Sequence, residues 1–533
     1  MKLVKETLEL AQTGFFTPLV LDYCSQKKSL DPYIQSFPSA ESMLTQIQLK
    51  QKQTINRTIL VDVLLQQYSH LETTELVKQN IEVLRNTSTF TICTAHQPNI
   101  FTGHLYFIYK IIHAIKLSIE SAKLYPLYTF VPVYYIGSED NDLEEIGELN
   151  YNGQSYQWQS GQTGACGRML TQHLEPILKD VLATLNDQVP DEKHLIELFK
   201  HAYNGEHTLS EATRIIVNDL FGQYGLVVLD PDHADLKKQF SAVMREELLS
   251  QSSHDIVQQT LVGLSQNYKS QAPPRALNLF YLKNDIRERI EFDGNIWTVV
   301  NTKIQFTKNE LLAELEEFPN HFSPNVILRP LYQETILPNI AFVGGGGELA
   351  YWMQLKALFD FHKITYPLLF LRNSVLWINA KSALRKSQIG LSPEALFYPA
   401  EKLVQLQFAN HQVLEQLNTF ESEIEMKYTE LNLLAAQVSD SLKQSIEAHK
   451  AKVMNVQQRI HQKFLAHLKR NESEVITKIY TLKQQLFPNN TLQERYHTFL
   501  TIYKEFGPTI LADLMDHQDA LSHQFMVLTQ VED

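Results

Sequence analysis

A chain of 533 residues with a formal net charge of -13 is too long for one compact core and too acidic for a broad nucleic-acid footprint, which needs clustered Lys and Arg to displace counterions. Its 44% hydrophobic and 20% charged residues are ordinary for a globular multidomain protein, and no window approaches the roughly 18 uninterrupted apolar residues of a membrane-spanning helix. Cys24, Cys93 and Cys166 form no CxxC pair, and the opening MKLVKETLEL lacks the apolar core of a signal peptide. The expectation is a reducing, cytoplasmic setting with small-molecule or protein partners, no nucleic acid and no membrane.

Residues 1–88 carry a helical apolar period through SMLTQIQLKQK and TILVDVLLQQY and no strong strand signal, which predicts a helical N-terminal segment packed on the core. Across residues 89–398 the texture changes. TFTIC, FVPVYYIG, LVVLDP, IAFVGG and YPLLFLR are short apolar runs, each followed by a polar turn and separated by helical patterns. Runs without alternation are what parallel strands buried on both faces look like, so this span predicts an α/β core with a doubly wound parallel sheet. LNYNGQSYQWQ and LNLFYLKNDIRERIEFDGNIWTVV alternate and contain an Asp-Gly turn, which predicts small hairpins inserted beside that sheet.

Residues 399–487 hold no Gly or Pro between Pro399 and Pro488. Leu417, Phe420, Ile424, Leu431 and Leu434, and then Val453, Val456, Ile460 and Phe464, step by threes, fours and their sums, as a coiled-coil seam does. A single rod at about 1.5 Å per residue would reach roughly 130 Å. A long antiparallel α-helical coiled-coil hairpin, reversing near Val438 to Ser441, is the more compact solution. Residues 488–533 are expected to return to the core as short helices.

Four polar turns are candidates for chemistry. In TAHQPNIFTGHLYFIYK, residues 94 to 110, Thr102 and Gly103 would cap a helix and leave its first N–H groups for a phosphate or carboxylate, with Gln97 donating and His96 or His104 adding a proton or charge. The plainer alternative is an N-cap with solvent-facing histidines. In GSEDNDLEEI, residues 137 to 146, five carboxylates crowd a strand end, where repulsion calls for a cation, an ammonium group or sugar hydroxyls. Their spacing fixes no metal geometry and no metal is assigned; an acidic first helical turn is the competing explanation.

The third turn, FVGGGGELAYWMQLK, residues 342 to 356, has four glycines that would allow positive φ and close approach of a ligand, without the Lys-Ser/Thr of a Walker loop. Glu348 there suits an amine or ribose hydroxyl better than a phosphate. In the fourth, ILRPLYQETILP, residues 327 to 338, Arg329 offers a planar fork for a carboxylate, with Gln333 and Glu334 one turn along. If all four turns follow strands of one doubly wound sheet, they share an edge.

Taken in order with LFPNNTLQER, residues 486 to 495, these stretches closely resemble the BshC family of bacillithiol biosynthesis, ligases that add cysteine, nearly end to end. The family segments TGQQ-x-x-LFTGPLYTIYK, SEDHDFEEI, LRPVxQDTLLP and GGPGEIAYWAQLK stand here as TAHQPNIFTGHLYFIYK, SEDNDLEEI, LRPLYQETILP and GGGGELAYWMQLK. The resemblance implies a Rossmann-like doubly wound parallel sheet with inserted connecting segments, homodimerisation through the coiled coil, and an amide bond from cysteine to the glucosamine amine of glucosaminyl-malate.

On the matching positions it implies catalytic roles for Gln97, Glu139, Asp140 and Asp142. It implies substrate binding by Thr102, Gly103, Tyr106, Lys110, Arg329, Gln333, Gly345, Gly347, Glu348 and Tyr351, to which the reading of the turn itself adds His96. His96 replaces a Gln, Ala95 a Gly, His104 a Pro and Asn141 a His, which demotes His104 as a catalyst and excludes a histidine at 141. The cofactor is left open, with ATP or ADP the candidate and Asn490, Gln493 and Arg495 its expected contacts. Two other classes compete: a non-catalytic coiled-coil scaffold on a degenerate nucleotidyltransferase-like core, and a nucleotidyltransferase of other specificity, against which counts the lack of a KMSKS-like lysine loop in this sequence.

Overall fold

The computed structural model describes residues 2–409 and 411–531. Its centre is a sheet of five parallel strands. Thr89–His96 is flanked on one side by Thr129–Ile136 and then Val227–Leu229, and on the other by Asn339–Gly344 and then Leu368–Leu371. The chain thus builds outward in one direction, returns, and builds outward in the other, as in a doubly wound Rossmann-like sheet. Ile92, Val131, Val228, Phe342 and Leu369 are buried between the helices on the two faces, which is why these runs are continuously apolar.

The expected hairpins form beside this sheet. Glu148–Tyr151 pairs with Gln154–Gln157 across Asn152 and Gly153, both at positive φ. Leu279–Lys283, Ile286–Phe292 and Trp297–Val299 are the middle of a five-stranded antiparallel sheet edged by Gln305–Phe306 and Phe322–Pro324.

The helices Gln412–Val438 and Asp440–Asn471 lie antiparallel and reverse at Ser439, whose side chain accepts from Leu442 N. Lys450 pairs with Glu425 at 3.0 Å and Asn432 bonds Glu447 at 3.1 Å, which fixes the register. The pair does not cover its own seam: Phe420, Leu434 and Val456 are each more than half exposed. Two helices bury only one strip of each other, and the remaining apolar positions stay outside. Among the described residues no helix is long and apolar enough to cross a membrane.

The two end segments depart from expectation. Lys2–Glu9 is a strand, not part of a purely helical preface, and pairs antiparallel along its whole length with Gln524–Val531, itself a strand where only helices were expected. Gln524–Val531 in turn runs parallel to Val375–Ile378. KLVKETLE buries no full apolar face, so its strand identity comes from its partner rather than from local pattern.

Val375–Ile378 has a free edge, and Gln493 closes it. Trp377 N donates to Gln493 Oε1 at 2.9 Å and Gln493 Nε2 donates to Trp377 O at 3.0 Å, so the amide substitutes for a neighbouring strand. Gln493 is therefore committed to the fold, contrary to its expected role on a nucleotide. His113, in the helix Tyr106–Leu124, ties the same region together: Asn373 N donates to its Nδ1 at 3.1 Å and its Nε2 bonds Ala520 O at 3.1 Å. Burial pushes its pKa down to about 3.

Gln493→Ala orphans two buried backbone groups and should lower unfolding free energy by about 1–3 kcal/mol in urea titrations. An unfolded His113 takes up a proton near its ordinary 6.5 while the folded one does not until about 3, so protons favour the unfolded chain between those values. Stability should fall as pH drops below 6.5, and His113→Gln should flatten that fall in denaturation curves measured at successive pH values.

Candidate active site

The strand Thr89–His96 ends in a chain reversal. Phe101, Thr102 and Gly103 are consecutive residues at positive φ, and a Cβ at Gly103 would sit 2.7 Å from Asn99 Cβ, so only glycine fits there. The helix then begins at Tyr106, and Leu105 N donates to His497 O at 2.7 Å. Thr102 and Gly103 consequently do not cap this helix, and neither lines the cavity described below. Thr102 is buried with its hydroxyl unpartnered.

A cavity of about 500 Å³ opens at the carboxyl edge of the sheet, across the point where strand order reverses. The first strand supplies His96 and Gln97, the second Glu139 and Asp140, the fourth Gly345, Gly347, Glu348 and Tyr351; Tyr106 and Lys110 enter from the first helix. Arg329 arrives differently from expectation. It opens the helix Arg329–Ile336, which precedes the fourth parallel strand, and it follows a strand of the antiparallel sheet. Glycines 344 to 347 are all at ordinary φ. Two of them are required for contact instead: a Cβ would lie 2.8 Å from Phe342 at Gly344 and 2.8 Å from Val20 at Gly346.

The acidic wall separates into committed and available carboxylates. Glu139 is buried in an ion pair with Lys237, whose ammonium also donates to Phe322 O at 2.6 Å. Burial pushes the Glu139 pKa up and Lys237 pulls it back down. Asp142 caps the short helix Leu143–Ile146 by accepting from Glu145 N at 3.1 Å and lies outside the cavity. Asp140 and Glu145 stay open to the cavity, sharing the Gln97 amide at 2.7 and 3.3 Å. Partial burial pushes the Glu145 pKa up. His96 is held neutral by burial, its ring 5.4 Å from those of Tyr106 and Phe107.

The basic wall is sorted the same way. Lys110 pairs with Glu348 at 2.6 Å and donates to Ala95 O at 2.8 Å; burial lowers its pKa and Glu348 raises it. Glu348 Oε2 also accepts from Gly345 N at 2.8 Å, which leaves Oε1 without a partner among the described residues. Arg329 donates to Gln333 at 3.0 Å and Tyr351 at 2.9 Å and sits over the Tyr135 ring, but no carboxylate pairs with it among the described residues. Gln333 itself is buried beneath Arg329, outside the cavity lining.

Sequence reasoning missed Arg372 and Arg287 as cavity residues, and it counted Glu145 among the crowded carboxylates without giving it a role. Arg372 is anchored by Glu494 at 2.6 Å and by Ser374 at 3.0 Å, and its position directly after the apolar run YPLLFL was the available signal. The expected nucleotide contacts do not converge: Gln493 is buried in the fold, Asn490 lines a separate cavity of about 580 Å³, and only Arg495 reaches the main one.

A doubly wound core with a charged cavity at its switch point and a coiled-coil appendage defines a Rossmann-like enzyme. Residues 3–373 match the N-terminal Rossmann-like domain of bacillithiol biosynthesis BshC, and residues 375–530 match its C-terminal coiled-coil domain. The chain belongs to the BshC family, a family of ligases. A relative from Flavobacterium johnsoniae, named "Putative cysteine ligase BshC", is 40% identical over 522 residues, covering 97% of this chain and 98% of that one. A relative of the same name from Flavobacterium psychrophilum is 38% identical over 530 residues, covering 98% and 99%.

Removing Lys237 strands a buried carboxylate, so Lys237→Met should cost about 3–5 kcal/mol of unfolding free energy. Asp140→Asn, at a half-buried carboxylate with no ion pair, should shift it by about 0.5 kcal/mol at most in the same urea titration.

Proposed function

We propose that this enzyme joins the carboxyl of cysteine to the amine of glucosaminyl-malate, completing bacillithiol. One observation carries the reading: a single cavity holds Arg329, Arg287 and Arg495, none with a carboxylate partner among the described residues, together with the unpaired carboxylates Asp140 and Glu145, while Lys110, Glu348, Glu139 and Arg372 are paired within the protein. A substrate with a carboxylate at one end and an amine at the other complements such a cavity. Arg329 and Tyr351 hold a malyl carboxylate, and the sugar amine lies toward Gln97 and Asp140.

The reaction forms a carbon–nitrogen bond, breaks the bond from the cysteine carbonyl carbon to its leaving oxygen, and releases one proton from the attacking amine. Asp140 takes that proton, with the Gln97 amide fixing its carboxylate. The free Oε1 of Glu348 accepts from the cysteine ammonium. An activated carboxyl is required, and ATP is the activator included in this proposal; Asn490, Gln493 and Arg495 do not form one pocket for it. The exposed Phe420, Leu434 and Val456 support pairing of two copies through the coiled coil.

Bacillithiol formation from glucosaminyl-malate and cysteine tests the site. Asp140→Asn should lower kcat by roughly 100-fold or more with little change in KM, as loss of a general base does. Gln97→Ala and Glu348→Ala should also lose activity, and wild-type yield in all three variants would refute the assignment.

A further inference from the structure

Beneath the guanidinium of Arg329 runs a polar relay through an otherwise apolar interior. Gln333 Oε1 accepts from Arg329 Nη1 at 3.0 Å, and Gln333 Nε2 donates to Glu334 Oε1 at 2.9 Å. Asn339 Nδ2 donates to the same carboxylate oxygen at 2.7 Å, and Glu334 Oε2 is paired with the Lys50 ammonium at 3.1 Å. Gln333, Glu334 and Asn339 are fully buried, and Lys50 is 2% exposed. A buried ion pair is a poor way to stabilise a core, because the Coulomb gain often fails to return the desolvation cost. This one stands one residue from a side chain that contacts the residue facing the cavity.

Its effect follows from hydrogen-bond inventory. Arg329 has donors only, and an ionised Glu334 has acceptors only. The Gln333 amide between them satisfies both in one orientation alone, oxygen toward Arg329 and nitrogen toward Glu334. Glu334 thereby locks the Gln333 amide, and that amide holds one side of the guanidinium fork while the Tyr351 hydroxyl holds the other at 2.9 Å.

We propose that Glu334, with Lys50 as its counter-ion, is a positioning residue that aims Arg329 at a carboxylate of the substrate; this rests on the carboxylate role given to Arg329 above. In Glu334→Gln the Lys50 ammonium keeps the backbone carbonyl of residue 334 at 2.9 Å but loses its counter-charge, and because a buried ammonium repels an NH2 more than the neutral Asn339 amide does, the new amide turns its oxygen to Lys50 and its NH2 to Gln333 and Asn339. Gln333 then rotates and sets its own NH2 against the guanidinium, donor against donor. Removing the ammonium as well, in Lys50→Met/Glu334→Gln, frees the new amide to turn back and restores the original orientation of Gln333.

The probe is L-malate, titrated calorimetrically into the full chain, with thermal melts to establish folding. Arg329→Ala and Glu334→Gln should each weaken binding about tenfold or more, the size of a lost charge-assisted hydrogen bond, and the double variant should recover most of the loss. A folded Glu334→Gln that binds like the unaltered protein, or a folded double variant as weak as the single one, overturns the relay while leaving the Arg329 site standing. If Glu334→Gln does not fold, Gln333→Met decides: weakened binding supports the relay and unaltered binding overturns it. Absence of malate binding to the unaltered protein, or unchanged binding by Arg329→Ala, removes the carboxylate site itself and the relay with it.

Discussion

Parallel strands cannot be joined by tight turns, so each is followed by a connection that crosses the sheet, and all their carboxyl ends emerge on one edge. In this chain that constraint gathers Gln97, Asp140, Glu348 and Arg372 from four different connections onto one cavity. The reversal of strand order between Thr89–His96 and Asn339–Gly344 splays the connections apart and provides the space. Every other feature of the site is an answer to the crowding of charge that results.

Part of that charge is cancelled in place. Lys110 with Glu348, Arg372 with Glu494 and Lys237 with Glu139 are close ion pairs with at least one buried partner each, as desolvated charges must be. What remains without an ion-pair partner among the described residues is three guanidiniums, Arg287, Arg329 and Arg495, and two carboxylates, Asp140 and Glu145. The LFPNNTLQER stretch takes part mainly as a fastener. Gln493 completes a strand edge and Glu494 anchors Arg372, while Leu105 N reaches the neighbouring His497 carbonyl. These bonds tie the C-terminal segment to the floor and mouth of the cavity.

Much of the fold was legible. The five apolar runs are the five parallel strands because burial on both faces removes alternation, and the long span without Gly or Pro is the helical hairpin. Lys2–Glu9 and Gln524–Val531 were not read as strands: the first half-buries mixed residues, the second buries a short apolar run, FMVL, that also suits a helix, and each depends on a partner at the opposite end of the sequence. At the site, residue types pointed to the right turns but not to their use. Thr102 and Gly103 sit in a left-handed reversal rather than a helix cap, and in the four-glycine run Gly344 and Gly346 serve tight contacts with Phe342 and Val20 rather than positive φ.

By itself the sequence determined periodicity, and with it which segments are doubly buried strands, which are long helices and which polar turns lie between them. These are properties of short windows, set by burial pattern and backbone propensity. The tertiary structure alone decided which charges meet. Glu139 and Asp140 are adjacent in sequence, yet one is spent on Lys237 and the other faces the cavity; Glu494 reaches Arg372 across the fold. A carboxylate's availability depends on what approaches within a few ångströms, and in a doubly wound sheet those neighbours come from distant connections.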